Sequence, residues 1–340
     1  MKTYELAQEA GLVFVHDTDE GIKTVTSKKG VKYILPNGET LKDKTRIREI
    51  NLLVIPPAWK NVWICNNVNG YLQAIGWDVK GRKQYRYHSK WNSYRSLTKF
   101  GKLSKFIKVL PKIQEKIEKD LKIKELIKEK VLATVIKIME MTYIRVGNDI
   151  YEKQNKSYGL TTLKDKHAKI SGKKIIFDFK GKSGVEHEIE LINNKLARIV
   201  KNCQDLPGQS LFQCVDHKKV IHHVTSTDVN KYINDTTGES YTAKDFRTWG
   251  GTKNAIYEFE RVGLYSSESE AKKNIISVVK KVASLLGNKP ATCRKYYIHP
   301  EVINTYLTKK LLIFFDKYKE IKEKDPSEFY NLIIDEISNS

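Results

Sequence analysis

The sequence predicts an α+β chain in two parts: a small β-rich N-terminal domain over residues 1–95 and a larger, mainly α-helical domain over residues 96–340. Three observations predict it. Up to about residue 95, short runs of β-branched and aromatic residues are separated by Asn-Gly and proline-containing turns. Beyond that point apolar residues recur at helical spacing, over stretches too long for strands. A length of 340 residues is enough to bury two cores.

Lys32–Leu35, the Pro36-Asn37-Gly38 turn and Glu39–Leu41 read as a hairpin, followed by a short helix from Thr45 to Leu52. Paired prolines in Ile55-Pro56-Pro57-Ala58-Trp59 cannot continue a helix. Val62–Cys65 and Tyr71–Ile75 read as strands around Asn69-Gly70. Arg82-Lys83-Gln84-Tyr85-Arg86-Tyr87-His88 interleaves bases with aromatics. As a strand it sets Lys83, Tyr85 and Tyr87 on one face and Arg82, Gln84, Arg86 and His88 on the other. Such a segment suits phosphates through its cations and base edges through Gln84 and the tyrosines.

From Leu97 to Met141 the pattern is helical, with a break expected at Pro111 and a longer helix through Leu126, Val131, Val135 and Ile138. It ends in Thr142-Tyr143-Ile144-Arg145-Val146-Gly147-Asn148-Asp149. Lys173–Lys180 and Val185–Leu191 alternate as strands. The tip between them, Gly181-Lys182-Ser183-Gly184, presents a lysine that is idle unless the chemistry needs a general acid. Ser226 or Thr227 is expected to cap a helix through Tyr232. Thr242 and Asp245 have capping-box spacing and open a helix carrying Arg247. Ser267 caps another helix, which stops at Gly287, and Pro300 is placed to start a last long helix. Cys214, His217, His222 and His223 match no standard metal spacing, and no metal site is expected.

Lys+Arg 61 against Asp+Glu 40 leaves a net charge of +21, spread along the whole chain. A folded basic surface with a polyanionic partner is implied, nucleic acid before membrane. No apolar run is long enough to span a bilayer and no signal-peptide pattern opens the chain, so an intracellular place, or one inside a particle, is expected. Cys65, Cys203, Cys214 and Cys293 form no Cys-x-x-Cys pair and read as buried, reduced thiols.

The stretch Gly287 to Pro300 carries the chemistry. Tyr296 and Tyr297 lie among Arg294, Lys295 and His299. An unperturbed phenol, with a pKa of about 10, is a poor nucleophile at neutral pH; cations stabilise its phenolate and also hold a phosphate. Local pattern alone does not choose between the two tyrosines.

Arg145, Lys182, Arg247, Asn288 and Tyr297, in that order and each in its own local sequence, resemble the active site of the type IB DNA topoisomerases, particularly the short form of poxviruses, giant viruses and bacteria. The matching stretches are Tyr143–Asn148, Phe179–Gly184, Lys244–Gly250 and Gly287–Pro300. Ile55–Trp59 and Gly81–Tyr87 resemble that family's amino-terminal DNA-clamping domain. The resemblance spans roughly residues 30 to 310. It implies a catalytic domain of the tyrosine recombinase/topoisomerase IB type and two domains closing as a clamp around duplex DNA. It also selects Tyr297, nine positions after Asn288, as the nucleophile. The implied reaction gives a 3′-phosphotyrosyl link and a free 5′-hydroxyl, with Arg145 and Arg247 on the phosphate oxygens, Lys182 as general acid and Asn288 as a neutral donor. Relaxation of both supercoil signs without ATP, metal or other cofactor is the activity implied, by an expected monomer acting at DNA. Arg82, Lys83, Gln84, Tyr85, Tyr87 and Tyr151 are the DNA contacts it suggests. Two rival readings are a tyrosine recombinase or integrase and a non-enzymatic basic DNA-binding protein. Recombinases usually carry His-x-x-Arg around the second arginine, where this chain has Lys244-Asp245-Phe246-Arg247.

Overall fold

The computed structural model describes residues 3–27 and 30–339. The chain divides into two compact units, Met1–Lys99 and Phe100–Ser340. In the first, α1 (Thr3–Glu9) precedes β1 (Gly21–Ser27), β2 (Gly30–Ile34), α2 (Lys44–Leu52), β3 (Lys60–Cys65), β4 (Leu72–Trp77) and β5 (Lys83–Tyr87). The strands form an antiparallel sheet in the order β2-β1-β3-β4-β5. One core gathers Ile22, Ile64 and Ala74 with Ile50 of α2, and another gathers Val15, Cys65, Leu72 and Ile75. The helix expected from Thr45 is α2, capped by Asp43, whose side chain accepts from the Thr45 N–H. The Asn37-Gly38 turn forms, but its return arm is a single bridge from Ile34 to Thr40; the full ladder partner of β2 is β1.

The division between units falls inside α3 (Ser89–Asp120). The second unit continues with α4 (Lys128–Thr142) and α5 (Asp149–Asn155), then β6 (Ala168–Ser171), β7 (Lys174–Lys180) and β8 (Glu186–Ile192), which form a three-stranded meander. After α6 (Asn194–Gln204) and the short pair β9 (Gln213–Val215) and β10 (Ile221–His223), helices dominate. These are α7 (Ser226–Thr237), α8 (Ala243–Val262), α9 (Glu268–Leu285), α10 (Pro290–Tyr296), α11 (Pro300–Leu307), α12 (Lys310–Lys317), α13 (Lys319–Lys324) and α14 (Pro326–Asn339). A single core joins α3, α4, the meander and the C-terminal helices, with Phe106, Val135, Phe177, Phe246, Val278 and Ile333 among its members.

Three expectations are corrected. Pro111 does not end a helix: α3 runs through it, because Phe106, Ile107 and Leu110 before it and Ile113 and Ile117 after it are buried in one core. That shared burial outweighs the lost N–H bond and the ring clash. The cap of α7 is Thr225, not Ser226 or Thr227; its hydroxyl accepts from the Asp228 N–H while Asp228 accepts from the Thr225 N–H. Pro300 does start a helix, but a short one, and the rest of the chain breaks into α12, α13 and α14. Lys309, in the left-handed region at φ 61°, separates α11 from α12. All four cysteines are buried and free, as expected.

Pro111 is exposed and its helix is fixed by the residues around it. Pro111→Ala should therefore stabilise the protein by about 1–2 kcal/mol, the helix penalty of proline less its restriction of the unfolded chain. Urea unfolding at neutral pH reads this directly, and a lower midpoint would mean that the proline itself is needed for the packing of α3.

Candidate active site

The site is assembled where two helices end. Helix α4 closes on Tyr143, which sits in the left-handed region at φ 56° and donates its N–H to the Met139 carbonyl. A bulky residue there is uncommon, and Tyr143 is held on three sides. Its hydroxyl accepts from Asn254 Nδ2 at 3.1 Å, its ring packs on Gly250, and its carbonyl accepts from Arg247 Nη1. Arg145 follows, fixed by the Leu160 N–H donating to its carbonyl at 2.9 Å. Helix α9 ends in a Schellman motif: the N–H of Gly287, at φ 57°, donates to the Ser284 carbonyl and that of Asn288 to the Ala283 carbonyl at 2.8 Å. This motif sets the place of Asn288.

Both arginines donate to these ends. Arg145 Nη2 donates to the Gly287 carbonyl at 3.2 Å and to Asn288 Oδ1. Arg247 Nη2 donates to the Leu286 carbonyl at 2.8 Å. Arg247 is 4% exposed, and its Nε has no hydrogen-bond partner. Burial lowers the pKa of each guanidinium, and the charge of Arg145 lowers that of Arg247 further. Arginine starts so high that both stay cationic at neutral pH.

Tyr297 lies against this pair. The Arg247 guanidinium carbon is 5.1 Å from the Tyr297 ring centroid. The tyrosine backbone is gripped by α8: Thr252 Oγ1 donates to the Tyr297 carbonyl at 3.3 Å and accepts from the His299 N–H at 3.1 Å. A methyl on Gly251 would overlap that carbonyl. Tyr296 instead is 45% exposed, with Lys295 Nζ 5.3 Å from its ring. The geometry thus separates two tyrosines that local sequence left equivalent.

Lys182 sits exposed at the β7–β8 tip, in a turn closed by the Gly181 N–H donating to the Val185 carbonyl at 2.7 Å. It lines the same cleft as Arg145, Arg247, Gly181 and His187. The sequence reading turned His187 inward but gave it no part in the site. Burial first, then the charges of Arg145 and Arg247, lower its pKa and keep it neutral. Two permanent cations, a lysine, an amide and a phenol are thus gathered at the ends of α4 and α9, a set of groups of the kind that suits a phosphate.

The suggested DNA contacts divide between the units. On β5, the faces fall as expected: Tyr85 stacks on Tyr87 with centroids 6.0 Å apart, and Lys83 Nζ lies 5.5 Å from the Trp77 ring. The polar side chains are engaged. Arg82 pairs with Asp78 at 2.6 Å, Gln84 Nε2 donates to Asp78 at 3.1 Å, and Lys83 pairs with Asp17. Tyr151 stands exposed on α5 in the second unit. Of the histidine–cysteine group set aside as a metal site, His222 binds Asp216 and Cys214 Sγ donates to the His222 carbonyl.

Residues 88–324 match the family model for the eukaryotic DNA topoisomerase I catalytic core, and residues 30–78 match that for the bacterial DNA topoisomerase IB N-terminal domain. DNA topoisomerase 1B of Acanthamoeba polyphaga mimivirus is 34% identical over 91% of this chain and 93% of its own length. Vaccinia virus DNA topoisomerase 1B is 26% identical over 78% of this chain and 80% of its own. DNA topoisomerase 1 of rabbit fibroma virus is 27% identical over 78% and 80%.

His299, just past Tyr297, is buried against Phe100, and burial lowers its pKa to about 4. Neutral imidazole is favoured in the folded state, so its contribution is complete above the unfolded value of about 6.5 and is lost as pH falls toward 4. We expect stability to drop by roughly 2–3 kcal/mol between pH 7 and 4.5 from this group. His299→Asn, which keeps a capping acceptor for the Glu301 N–H, should flatten that part of the urea-midpoint profile. An unchanged slope would sink the assignment.

Proposed function

We propose that this chain, which belongs to the type IB DNA topoisomerases, relaxes supercoiled duplex DNA of either sign by a reversible attack of Tyr297 on a backbone phosphodiester. The observation that carries the reading is the packing of one tyrosine, Tyr297, against the buried Arg247, in a cleft that the half-buried Arg145 also lines, both arginines being without a carboxylate partner among the described residues.

The phenolic oxygen forms a bond to phosphorus as the bond to the 5′-oxygen breaks. This leaves a 3′-phosphotyrosyl link and a 5′-hydroxyl. Arg145 and Arg247 stabilise the charge that builds on the nonbridging oxygens. Lys182 delivers the proton that the departing 5′-oxygen requires. Asn288, whose Oδ1 accepts from Arg145, offers its Nδ2 to a nonbridging oxygen and cannot titrate. The phosphoester energy is kept in the covalent link, so the reverse reaction reseals the strand after rotation without ATP. The fixed cations supply the charge neutralisation that a metal gives elsewhere. On this reading the chain acts as a monomer. On the first unit, Tyr85 and Tyr87 are offered to the groove, and Arg82, Lys83 and Gln84 reach DNA by exchanging their carboxylate partners for phosphates and base edges. Tyr151 contacts the backbone near the cleaved bond.

The test is relaxation of a supercoiled plasmid in EDTA without ATP. The native chain should relax both signs and leave a covalent protein–DNA adduct when denatured in mid-reaction. Tyr297→Phe should abolish both, Tyr296→Phe should keep them, and Arg145→Ala or Arg247→Ala should slow cleavage about 10²–10³-fold each. Joining of two duplexes at a defined site, with no relaxation, would favour the recombinase reading; tight binding with no strand cleavage would favour a plain DNA-binding protein.

A further inference from the structure

His187 is the titratable ring of β8 that lines the cleft and to which the reaction above gives no part. It lies on β8 directly across from Phe179 of β7 and stacks on it, with centroids 5.0 Å apart and planes 19° from parallel. Its edges meet main chain on two sides. A methyl on Gly181 would stand 2.6 Å from Cδ2 and Nε2, and one on Gly287 would overlap Cε1. Gly181 opens the turn that presents Lys182, while the Gly287 carbonyl receives Arg145 and Asn288 comes next. The ring therefore fills the space between the turn of the lysine and the turn of the phosphate clamp, at distances where only glycine fits on either side. Close-packed groups of this kind transmit displacement instead of absorbing it.

We propose that His187 is a positioning residue, wedged between the Lys182 turn and the Gly287–Asn288 turn so that the lysine ammonium is held at the leaving 5′-oxygen. The proposal rests on Lys182 being the general acid. A neutral ring suits the part: a charged one would repel Lys182 and both arginines, and those arginines disfavour its protonation. The wedge adds no bond to the reaction; it sets where the proton is given.

A duplex with sulfur in place of the bridging 5′-oxygen at the cleaved phosphate separates the possibilities. A thiolate, whose conjugate acid has a pKa of about 8.5, leaves without a proton. With the normal oxygen duplex, His187→Ala should cleave about 100-fold more slowly, the cost of misplacing one group by about 1 Å, with unchanged DNA affinity. With the sulfur duplex it should come within a few-fold of the native enzyme, as should Lys182→Ala. Gly181→Ala, which pushes on the ring from the other side, should show the same selective loss. Added to His187→Ala it should cost little more, since the space it invades is then empty. Should His187→Ala prove unstable, Gly181→Ala alone reads the same contact. If Lys182→Ala is rescued by sulfur while His187→Ala and Gly181→Ala are slowed equally on both duplexes, the wedge is structural and the proposal fails. If Lys182→Ala itself is not rescued, the general-acid assignment is what falls, and the wedge proposal falls with it.

Discussion

The guanidinium groups of Arg145, half-buried, and Arg247, buried, donate to main-chain carbonyls and one amide oxygen and, among the described residues, to no carboxylate, and the surrounding structure follows from that arrangement. Removing a charge from water without a counter-charge costs several kcal/mol, and two like charges side by side cost more. The offset comes from geometry. The carbonyls of Tyr143, Leu286 and Gly287 stand at the C-terminal ends of α4 and α9, where unpaired acceptors and the helix dipole concentrate negative charge. Those partial charges hold the cations in place without neutralising them. A carboxylate would have stabilised the pair better and cancelled the field that a phosphate needs. In a half-buried cleft that field is also stronger than it would be in water.

Helix α8 converts this electrostatic arrangement into fixed distances. Arg247, Gly250, Gly251 and Asn254 fall at i, i+3, i+4 and i+7, one stripe of a single helix. Arg247 reaches both helix ends, Gly250 admits the Tyr143 ring, Gly251 admits the Tyr297 main chain, and Asn254 holds the Tyr143 hydroxyl. Thr252, beside the stripe, binds both the carbonyl of Tyr297 and the amide of His299. The proposed nucleophile and the cation next to it thus hang from the same stretch of α8, about two turns long. That is the kind of support under which a reacting group stays within a fraction of an ångström of its place.

Much of this was legible in sequence where a local rule decides the outcome. The Thr242–Asp245 box, the Ser267 cap, the Gly287 stop and the alternation of β5 each depend on residues within a few positions of one another. Illegible were features set by distant partners. Pro111 reads as a stop until its neighbours are known to share one core. Local pattern leaves Tyr296 and Tyr297 equivalent, and only the family resemblance chooses Tyr297 before α8 is seen to grip it. Asp17 carries no local sign that it holds Lys83, and His187 reads as one more inward residue of an alternating strand. Its signal was present but indirect: two glycines, Gly181 and Gly287, far apart in the chain, each with no room for a side chain because the same ring is there.

The engaged acids of the first unit and the unpaired arginines of the second express opposite uses of charge. Around β5, Asp78 holds both Arg82 and Gln84, and Asp17 holds Lys83. These pairs are largely solvent-exposed, where an ion pair contributes about 1 kcal/mol or less and exchanges readily for a phosphate. Such contacts favour an encounter that is reversible and sensitive to salt. The arginines of the second unit are held differently, by main-chain carbonyls at the helix ends and, for Arg145, by the amide oxygen of Asn288, none of which carries a full charge. On the proposed reading, a duplex would be met on one unit by cations that must let go of a partner, and on the other by cations free of carboxylates among the described residues. The same residue types are thus held in two ways, and what separates them is whether the acceptor carries a full negative charge or only the partial charge of a carbonyl or amide oxygen.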